Sequence, residues 1–250
     1  AGATQRLCRS SERVALAQAF DYYDGVINSD ISRVDNVERN AERAARIMRS
    51  YARSVAAPTK MSSIVQDIVA NEASKISDDT VASYIKALKQ IFVIEDAPAW
   101  NPNLRSKSAI RMSDTRYFAD PSIATAALGL GPKDLINDLN TMGLIFENMC
   151  IRDLRVYAET LDGKIYHYRD SSDLECDAVI HLENGRYALI EIKLGGEDSV
   201  AFGMSTLKAL QKKLDNIGNG PAFLMILTAC GSAYTTKEGI HVVPINLLRD

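Results

Sequence analysis

The sequence predicts an α+β protein, in which a helical first part precedes an α/β domain with a mixed central sheet. Apolar residues recur at helical spacing through the first half, for example over 37–55. From Lys164 onward the period changes to the alternation that is typical of β-strands. With 250 residues, of which 46% are apolar and 24% are charged, the chain has the composition of ordinary globular domains, and two of them would fit.

Composition and charge exclude several classes of protein. A net charge of -3 and a pI near 5.7 provide no global basic field, so any contact with nucleic acid must be local. No apolar stretch approaches the roughly 18 to 20 residues that cross a bilayer, and the first residues lack the charged-then-apolar pattern of a signal sequence, so we expect neither a membrane span nor export. The cysteines are too scattered for a zinc site or a disulfide scaffold, so we expect reduced thiols in a cytoplasm. They are Cys8, Cys150, Cys176 and Cys230.

Two amphipathic helices are predicted at the start, over 10–31 and 37–55. The outer face of the second helix carries a stripe of arginines at helical spacing. The stripe consists of Arg39, Arg43, Arg46, Arg49 and Arg53. Such a stripe is either a solvated helix face or a surface that faces phosphates or an acidic partner, and Arg46 is its candidate contact to nucleic acid.

A winged helix-turn-helix is predicted over 37–121. Beyond Pro58, two more helical patterns and an apolar run that favours a strand follow one another, over 61–69, 78–91 and 91–94. An irregular loop or wing over 96–113 and a returning strand near 117–121 complete this order of elements.

In that fold the helix over 78–90 would be the recognition helix. It would offer Ser83, Lys86 and Lys89 to a major groove. This face carries little positive charge, and winged helices also serve as interaction or spacer modules. Base reading and plain interaction therefore both stay open, with Lys86 and Lys89 as the candidate contacts.

The second part, over 122–250, predicts an α/β domain. Helical turns over 123–128 and 132–140 lead into a longer helix over 144–157. Strands follow over 164–169, 175–182 and 187–194, then a helix over 201–217, and then strands over 222–228 and 240–244. Asn184-Gly185 is a good hairpin turn between the second and third strands.

Two acids and a lysine in this domain predict a metal site. Alternation along 187–194 puts Glu191 and Lys193 on one strand face, and burying such groups is costly unless something offsets the charge. Thirteen residues separate Asp177 from Glu191, which is enough for a strand, a tight turn and a return strand to bring them side by side. Two carboxylates suit Mg²⁺ or Mn²⁺. A lone Glu-x-Lys also arises from ordinary cross-strand ion pairs.

The reaction expected of such a site is phosphodiester hydrolysis. The metal would orient a water and neutralise charge on the scissile phosphate. Lys193 would help to deprotonate that water or hold the developing negative charge. Glu147, on the preceding helix, would supply a third acid. Arg169 is a candidate phosphate contact, with an ordinary surface charge as the alternative.

Glu147, then Glu175-Cys176-Asp177-Ala178, then Glu191-Ile192-Lys193 resemble the motif series of the PD-(D/E)XK (restriction-endonuclease-like) nuclease superfamily, although the proline of that signature is missing. More widely, the chain from about Ser10 onward resembles the C-terminal region of an uncharacterised group of bacterial AAA+ ATPases. In those proteins a winged helix precedes a nuclease-like domain of unknown function. The shared phrases lie at 28–35, 166–170 and 241–244.

The resemblance implies three parts. Residues 1–36 would be the tail or lid of an ATPase domain, 37–121 the winged helix, and 122–250 the PD-(D/E)XK domain. Because the sequence holds no Gly-x-x-x-x-Gly-Lys-Ser/Thr loop, the ATPase domain itself would be a partner missing from this chain.

Three functions stay open at this point. The first is a Mg²⁺-dependent DNA nuclease. The second is a catalytically silent DNA- or protein-binding module that positions or regulates an ATPase. The third is the protein-interaction half of a regulatory ATPase or of a toxin-antitoxin-like system, without nucleic acid. The sequence also leaves open whether the chain forms a homo-oligomer.

Overall fold

The computed structural model of the protein describes residues 12–35, 37–70, 76–102, 113–215 and 220–248. The chain divides into two compact units. The first unit comprises Ala1–Glu95 and Arg116–Met142, and the second comprises Asp96–Thr115 and Gly143–Asp250. Within the described ranges, none of the helices combines the length and the apolar character that crossing a bilayer requires.

The first unit is helical. Its elements are α1 (Glu12–Gly25), a π-helical turn (Val26–Asp30), α2 (Ile31–Arg33), α3 (Ala41–Arg53), α4 (Met61–Ala70), α5 (Asp78–Gln90), α6 (Pro121–Leu128) and α7 (Pro132–Asn137). Side chains cap several of them: Asn40 accepts from the backbone N–H of Arg43, and Ser77 accepts from that of Thr80. These caps satisfy amide groups that have no partner inside the helix. The predictions of helices over 37–55, 61–69 and 78–91 are confirmed.

The inner face of α3 forms the centre of the first unit. Ile47, Met48 and Tyr51 are fully buried there, and the Tyr51 ring meets the Phe118 ring edge-to-face with centroids 5.7 Å apart. Besides its helices, this unit contains two isolated β-bridges, Val55 with Arg116 and Ile94 with Phe118.

The strand predicted over 91–94 is wrong. Only Ile94 makes a bridge, because the residues before it close the end of α5 instead. The N–H of Phe92 donates to Lys89 O and the N–H of Val93 donates to Leu88 O, which is the Schellman pattern of a helix C-terminus. Phe92 takes the left-handed position of that motif, with φ 56°.

The second unit contains a mixed six-stranded sheet. Its elements are β1 (Gly163–Arg169), β2 (Glu175–Leu182), β3 (Tyr187–Lys193), α9 (Glu197–Leu214), β4 (Leu224–Thr228), β5 (Tyr234–Thr235) and β6 (Ile240–Pro244), preceded by α8 (Leu139–Glu159), most of which belongs to this unit. The strand order is β1-β2-β3-β4-β6-β5, with antiparallel pairs at both sides and parallel pairing from β3 through β4 to β6. The α+β architecture with a mixed sheet is therefore confirmed. The short β5 was not predicted.

One face of this sheet packs against α9. Leu189 of β3 lies in a buried cluster with Leu207, Leu210 and Leu214 of the helix. Every residue of β3 except Lys193 is buried, as is expected of a strand in the middle of a sheet. Glu191 and Lys193 alternate with Ile190 and Ile192, so their side chains share the α9 face of the sheet.

The segment expected as a loop or wing over 96–113 is, in its described residues, an extended part of the second unit. Ala97 and Thr115 exchange backbone hydrogen bonds of 2.9 Å, and the N–H of Trp100 donates to His167 O of β1 at 2.7 Å. The Trp100 ring packs against the Tyr187 ring with centroids 4.8 Å apart. Burial of this aromatic side chain in the core holds the segment at the edge of the sheet. Residues 103–112 lie outside the described residues.

Candidate metal centre on strands β2 and β3

Three charged side chains meet where β2 and β3 run side by side. Lys193 Nζ lies 2.7 Å from Glu191 Oε2 and 3.1 Å from Asp177 Oδ2. Asp177 Oδ2 also accepts a hydrogen bond of 2.7 Å from the backbone N–H of Ile192. The structure thus brings together the three residues that the strand pattern singled out.

The β2–β3 hairpin explains this convergence. Its antiparallel register places Ala178 opposite Ile190 and so carries the next residues, Asp177 and Glu191, to neighbouring positions. The tight turn at its other end depends on Gly185, whose φ of 83° lies in the left-handed region that favours glycine.

Glu191 is an acid whose pKa is strongly shifted by its surroundings. Its side chain is almost completely buried, with 2% of the residue exposed, and its Oε1 has no hydrogen-bond partner among the described residues. Burial and then the charge of Asp177 raise the pKa of Glu191 from 4.5 to about 8, although Lys193 opposes the shift. The surroundings of this carboxyl group therefore disfavour its charged form, and Lys193 offsets that effect only in part.

Lys193 remains charged. Burial lowers the pKa of its ammonium group, but the carboxylates of Asp177 and Glu191 outweigh that effect, so the pKa is raised above the ordinary lysine value. This side chain is therefore a poor base while both carboxylates hold it, and it can act on a substrate only as a positive charge. The role of electrostatic partner fits Lys193 better than that of proton acceptor.

Two cysteines near the site are not nucleophiles. Cys176 and Cys150 are buried, and burial is the main cause that raises the pKa of each thiol, with nearby carboxylates adding to the shift. A buried thiol beside carboxylates stays protonated and unreactive. The expectation that these cysteines are plain reduced thiols agrees with this environment.

The donor set at this site is a pair of carboxylates. Within the described ranges, no group of three or more His, Cys, Asp and Glu side chains is arranged to hold a metal ion, so the structure does not bring Glu147 into a cluster with Asp177 and Glu191. Glu147 lies on α8, where its charge acts on the Cys150 thiol. A buried carboxylate oxygen without a partner is costly, however, and a divalent ion on Glu191 Oε1 would remove that cost. The two carboxylates therefore fit a Mg²⁺ that keeps several waters.

Sequence reasoning missed Glu175 as a neighbour of the site. Its charge contributes to the raised pKa of Glu191. Glu175 also pairs with Arg169 at 2.6 Å, and Arg169 pairs with Asp173 at 2.8 Å. Arg169, the candidate phosphate contact, is thus held by two carboxylates. The two-residue step from Glu175 to Asp177 on one strand was the signal that would have found Glu175.

The candidate nucleic-acid contacts of the first unit are distributed unevenly. Lys86 and Lys89 are exposed on α5. Arg46 is exposed on α3 and pairs with Glu42 at 2.5 Å. Arg39 does not belong to the exposed stripe: it is 7% exposed and pairs with Asp35 at 2.7 Å. The expected stripe of five arginines is therefore wrong at its first member, because that guanidinium group lies inside the unit.

Comparison with known families covers both halves of the chain. The model of a domain of unknown function (DUF8612) matches residues 7–134, which is just over half of the sequence. The model of another domain of unknown function (DUF4143) matches residues 142–248, which include Asp177, Glu191 and Lys193. DUF4143 is found C-terminal to AAA-ATPase domains in many bacterial proteins. No curated protein matches the chain. The chain belongs to the DUF8612 family, and its second half matches the DUF4143 model.

Proposed function

We propose that the second unit hydrolyses phosphodiester bonds of DNA with a Mg²⁺ or Mn²⁺ ion held by Asp177 and Glu191, and that the chain acts beside an AAA+ ATPase domain. The observation that carries the proposal is the buried carboxylate of Glu191, whose Oε1 has no partner among the described residues. This group lies beside a second carboxylate and a lysine on adjacent strands.

The order of the charged residues along the fold supports the nuclease proposal. An acid on helix α8 comes first, an acid on β2 follows, and Glu-x-Lys on β3 completes the series, as in the PD-(D/E)XK motif that the sequence resembles. The structure holds Asp177 in place through the backbone N–H of Ile192. A carboxylate fixed in this way keeps one oxygen orientation, which is what an ion-binding pair requires.

Each residue of the site has a separate task in this proposal. Asp177 and Glu191 hold the divalent ion, which supplies charge neutralisation at the scissile phosphate and orients a water. Lys193 places a permanent positive charge beside that phosphate and stabilises the negative charge that develops on it. The apolar residues around β3 exclude bulk water and so strengthen these interactions.

The helical unit would provide the contact with DNA. Helices α3, α4 and α5, together with the bridges Val55–Arg116 and Ile94–Phe118, follow the element order of a winged helix-turn-helix, and this supports the proposal. In that arrangement α5 presents Lys86 and Lys89 to the groove. The association of DUF4143 domains with AAA-ATPase domains supports an ATPase partner.

Plasmid nicking tests the nuclease proposal. The protein is incubated with supercoiled plasmid and Mg²⁺ or Mn²⁺, beside Asp177→Asn and Glu191→Gln variants. Glu238→Gln is the matched control, because Glu238 is an exposed acid that pairs with Lys208 on α9. We expect metal-dependent nicking by the wild type and the control but not by the two site variants. Equal nicking by all four proteins, or none by the wild type, contradicts the proposal.

A second candidate is a catalytically silent module that positions the ATPase on DNA. The observation in its favour is that Lys193 already pairs with both carboxylates and that the described residues provide no third ligand. This candidate predicts a salt-dependent shift of duplex DNA that survives Glu191→Gln and weakens in the Arg46→Ala/Lys86→Ala double variant. Absence of a shift at low salt contradicts it.

A further inference from the structure

Lys193 occupies the position of a cation between the two carboxylates. Its ammonium group contacts one oxygen of each acid, Glu191 Oε2 at 2.7 Å and Asp177 Oδ2 at 3.1 Å. In the part of the chain that the structure describes, no other cation pairs with either acid. A side chain of the protein itself is thus the counter-ion of these two carboxylates, and its single positive charge offsets only part of their negative charge.

A divalent ion on Glu191 Oε1 would lie close to the ammonium group, which contacts the other oxygen of the same carboxylate, Oε2, so the two cations would repel each other. Two positive charges at about 4 Å repel by about 4 kcal/mol at the effective dielectric constant of a protein surface, and more for a doubly charged ion. Either the ion fails to bind or the ammonium group moves away. Because lysine is a compact charge on a flexible four-carbon stem, moving costs it little.

A small space lies beside the stem of Lys193. Helix α9 passes over the site with Gly203, where an added Cβ would lie 3.6 Å from Lys193 Cε and 3.5 Å from Glu191 Cβ. A larger side chain at this position would extend over the stem. The glycine therefore leaves a space of about one methyl group between the helix and the lysine stem.

We infer that Lys193 is a resident counter-ion that a divalent ion must displace, so that metal binding releases the ammonium group toward the substrate phosphate. This inference rests on the proposed metal-dependent function. It gives Lys193 two successive partners: the carboxylates when no metal is bound, and the phosphate when metal is bound. The substrate phosphate then meets a free lysine only in a metal-loaded site.

Direct measurement of Mn²⁺ binding tests the inference. Calorimetric titration compares the wild type with Lys193→Met, which keeps the length of the stem but removes the charge. Lys208→Met is the matched control, because Lys208 is an exposed lysine that pairs with Glu238. We expect Lys193→Met to bind Mn²⁺ on the order of tenfold more tightly than the wild type and the control. Equal or weaker binding by Lys193→Met overturns the inference.

A second variant and a second measurement keep the inference testable if Lys193→Met is less stable than the wild type. Lys193→Gln keeps a polar group in place of the ammonium, and the rise in melting temperature on adding Mn²⁺ reports binding to the folded state. A larger rise in either lysine variant than in the wild type supports displacement. An equal or smaller rise in both overturns it.

The two proposals fail in different ways. If the wild type binds Mn²⁺ and nicks plasmid while the lysine variants bind Mn²⁺ no more tightly, only the counter-ion inference fails. If the wild type and both lysine variants show no Mn²⁺ binding, the metal-dependent function fails and the inference fails with it. Tighter Mn²⁺ binding by Lys193→Met together with loss of nicking supports both proposals.

Discussion

Arg39 in the first unit and Glu191 in the second are both buried charged residues, but their surroundings differ. Arg39 Nη1 donates to Ile31 O and to Asp35 Oδ1, and its Nη2 donates to Asp35 Oδ2 and to Ser83 Oγ. Among the described residues, Glu191 pairs only with Lys193, and its Oε1 has no hydrogen-bond partner. Arg39 also has one atom without such a partner, Nε, but its other two nitrogens make several hydrogen bonds. Arg39 links α2 to α5, whereas Glu191 pairs with a residue of its own strand.

The pKa directions separate the two sites in the same way. The side-chain hydrogen bonds from Arg39 lower the pKa of Asp35 to about 2, which keeps this partner charged across the physiological range. Burial instead raises the pKa of Glu191 to about 8. An ion pair with several hydrogen bonds stabilises the charged forms of its members, while burial disfavours the charged form of an acid that has few partners. The first pattern is typical of a structural contact, and the second is common at functional sites.

The largest effect is expected when Glu191 is replaced by Gln. Plasmid nicking should fall by on the order of a hundredfold or more, because a ligand of the ion is lost. The melting temperature at neutral pH should stay the same or rise, because the surroundings of Glu191 disfavour its charged form and Gln carries no charge. Thermal unfolding and nicking assays on one preparation check this. A fall in both stability and nicking would remove the contrast with Arg39.

Replacing Arg39 by Met should have the opposite profile. The free energy of unfolding should fall by roughly 2 to 3 kcal/mol, because buried carbonyl groups lose their donor. Nicking by the folded variant should not change. Arg49→Met, on the exposed side of α3, is the control and should shift stability by less than about 0.5 kcal/mol. Urea titration measures both, and equal shifts would contradict a structural role that is special to Arg39.

The pH dependence of stability should identify Glu191. Its folded-state pKa of about 8 lies above the ordinary 4.5, so the folded protein holds a proton that the unfolded chain releases. Its contribution to stability therefore falls as the pH rises from about 4.5 to about 8, by up to about 1.4 kcal/mol per pH unit. The Glu191→Gln variant should lack this slope. Parallel melting-temperature profiles of wild type and variant would contradict the shift.

The smallest effect is expected when Phe92 is replaced. The backbone of this residue, in the first unit, has a conformation that is unfavourable for a side chain. Its φ of 56° suits glycine, and its side chain is 79% exposed. Phe92→Gly should raise the free energy of unfolding by about 1 kcal/mol, because glycine takes the left-handed conformation without strain. Phe92→Ala, which keeps a Cβ, should bring no such gain. A loss of stability in Phe92→Gly would mean that the ring makes contacts that matter.

Local pattern was enough to predict most of the elements. The helices around α3, α4 and α5 and the three antiparallel strands each have the period that their geometry imposes. The strand predicted over 91–94 was wrong, because an apolar run does not distinguish a strand from the capped end of a helix. Glu175 was missed although the two-residue step to Asp177 was visible, because an exposed acid on a strand is common.

The sequence by itself determined which side chains share a strand face and that Asp177 and Glu191 come side by side, because alternation and hairpin length are local properties of the chain. Only the tertiary structure decided that Arg39 is buried while Arg46 is exposed. It alone also decided that Trp100 packs into the core of the second unit, where its backbone N–H donates to His167 O. It also decided that Lys193 pairs with both acids while one oxygen of Glu191 has no partner among the described residues. Burial and pairing depend on what packs against a residue from elsewhere in the chain, and helical or strand periodicity carries no information about that neighbour.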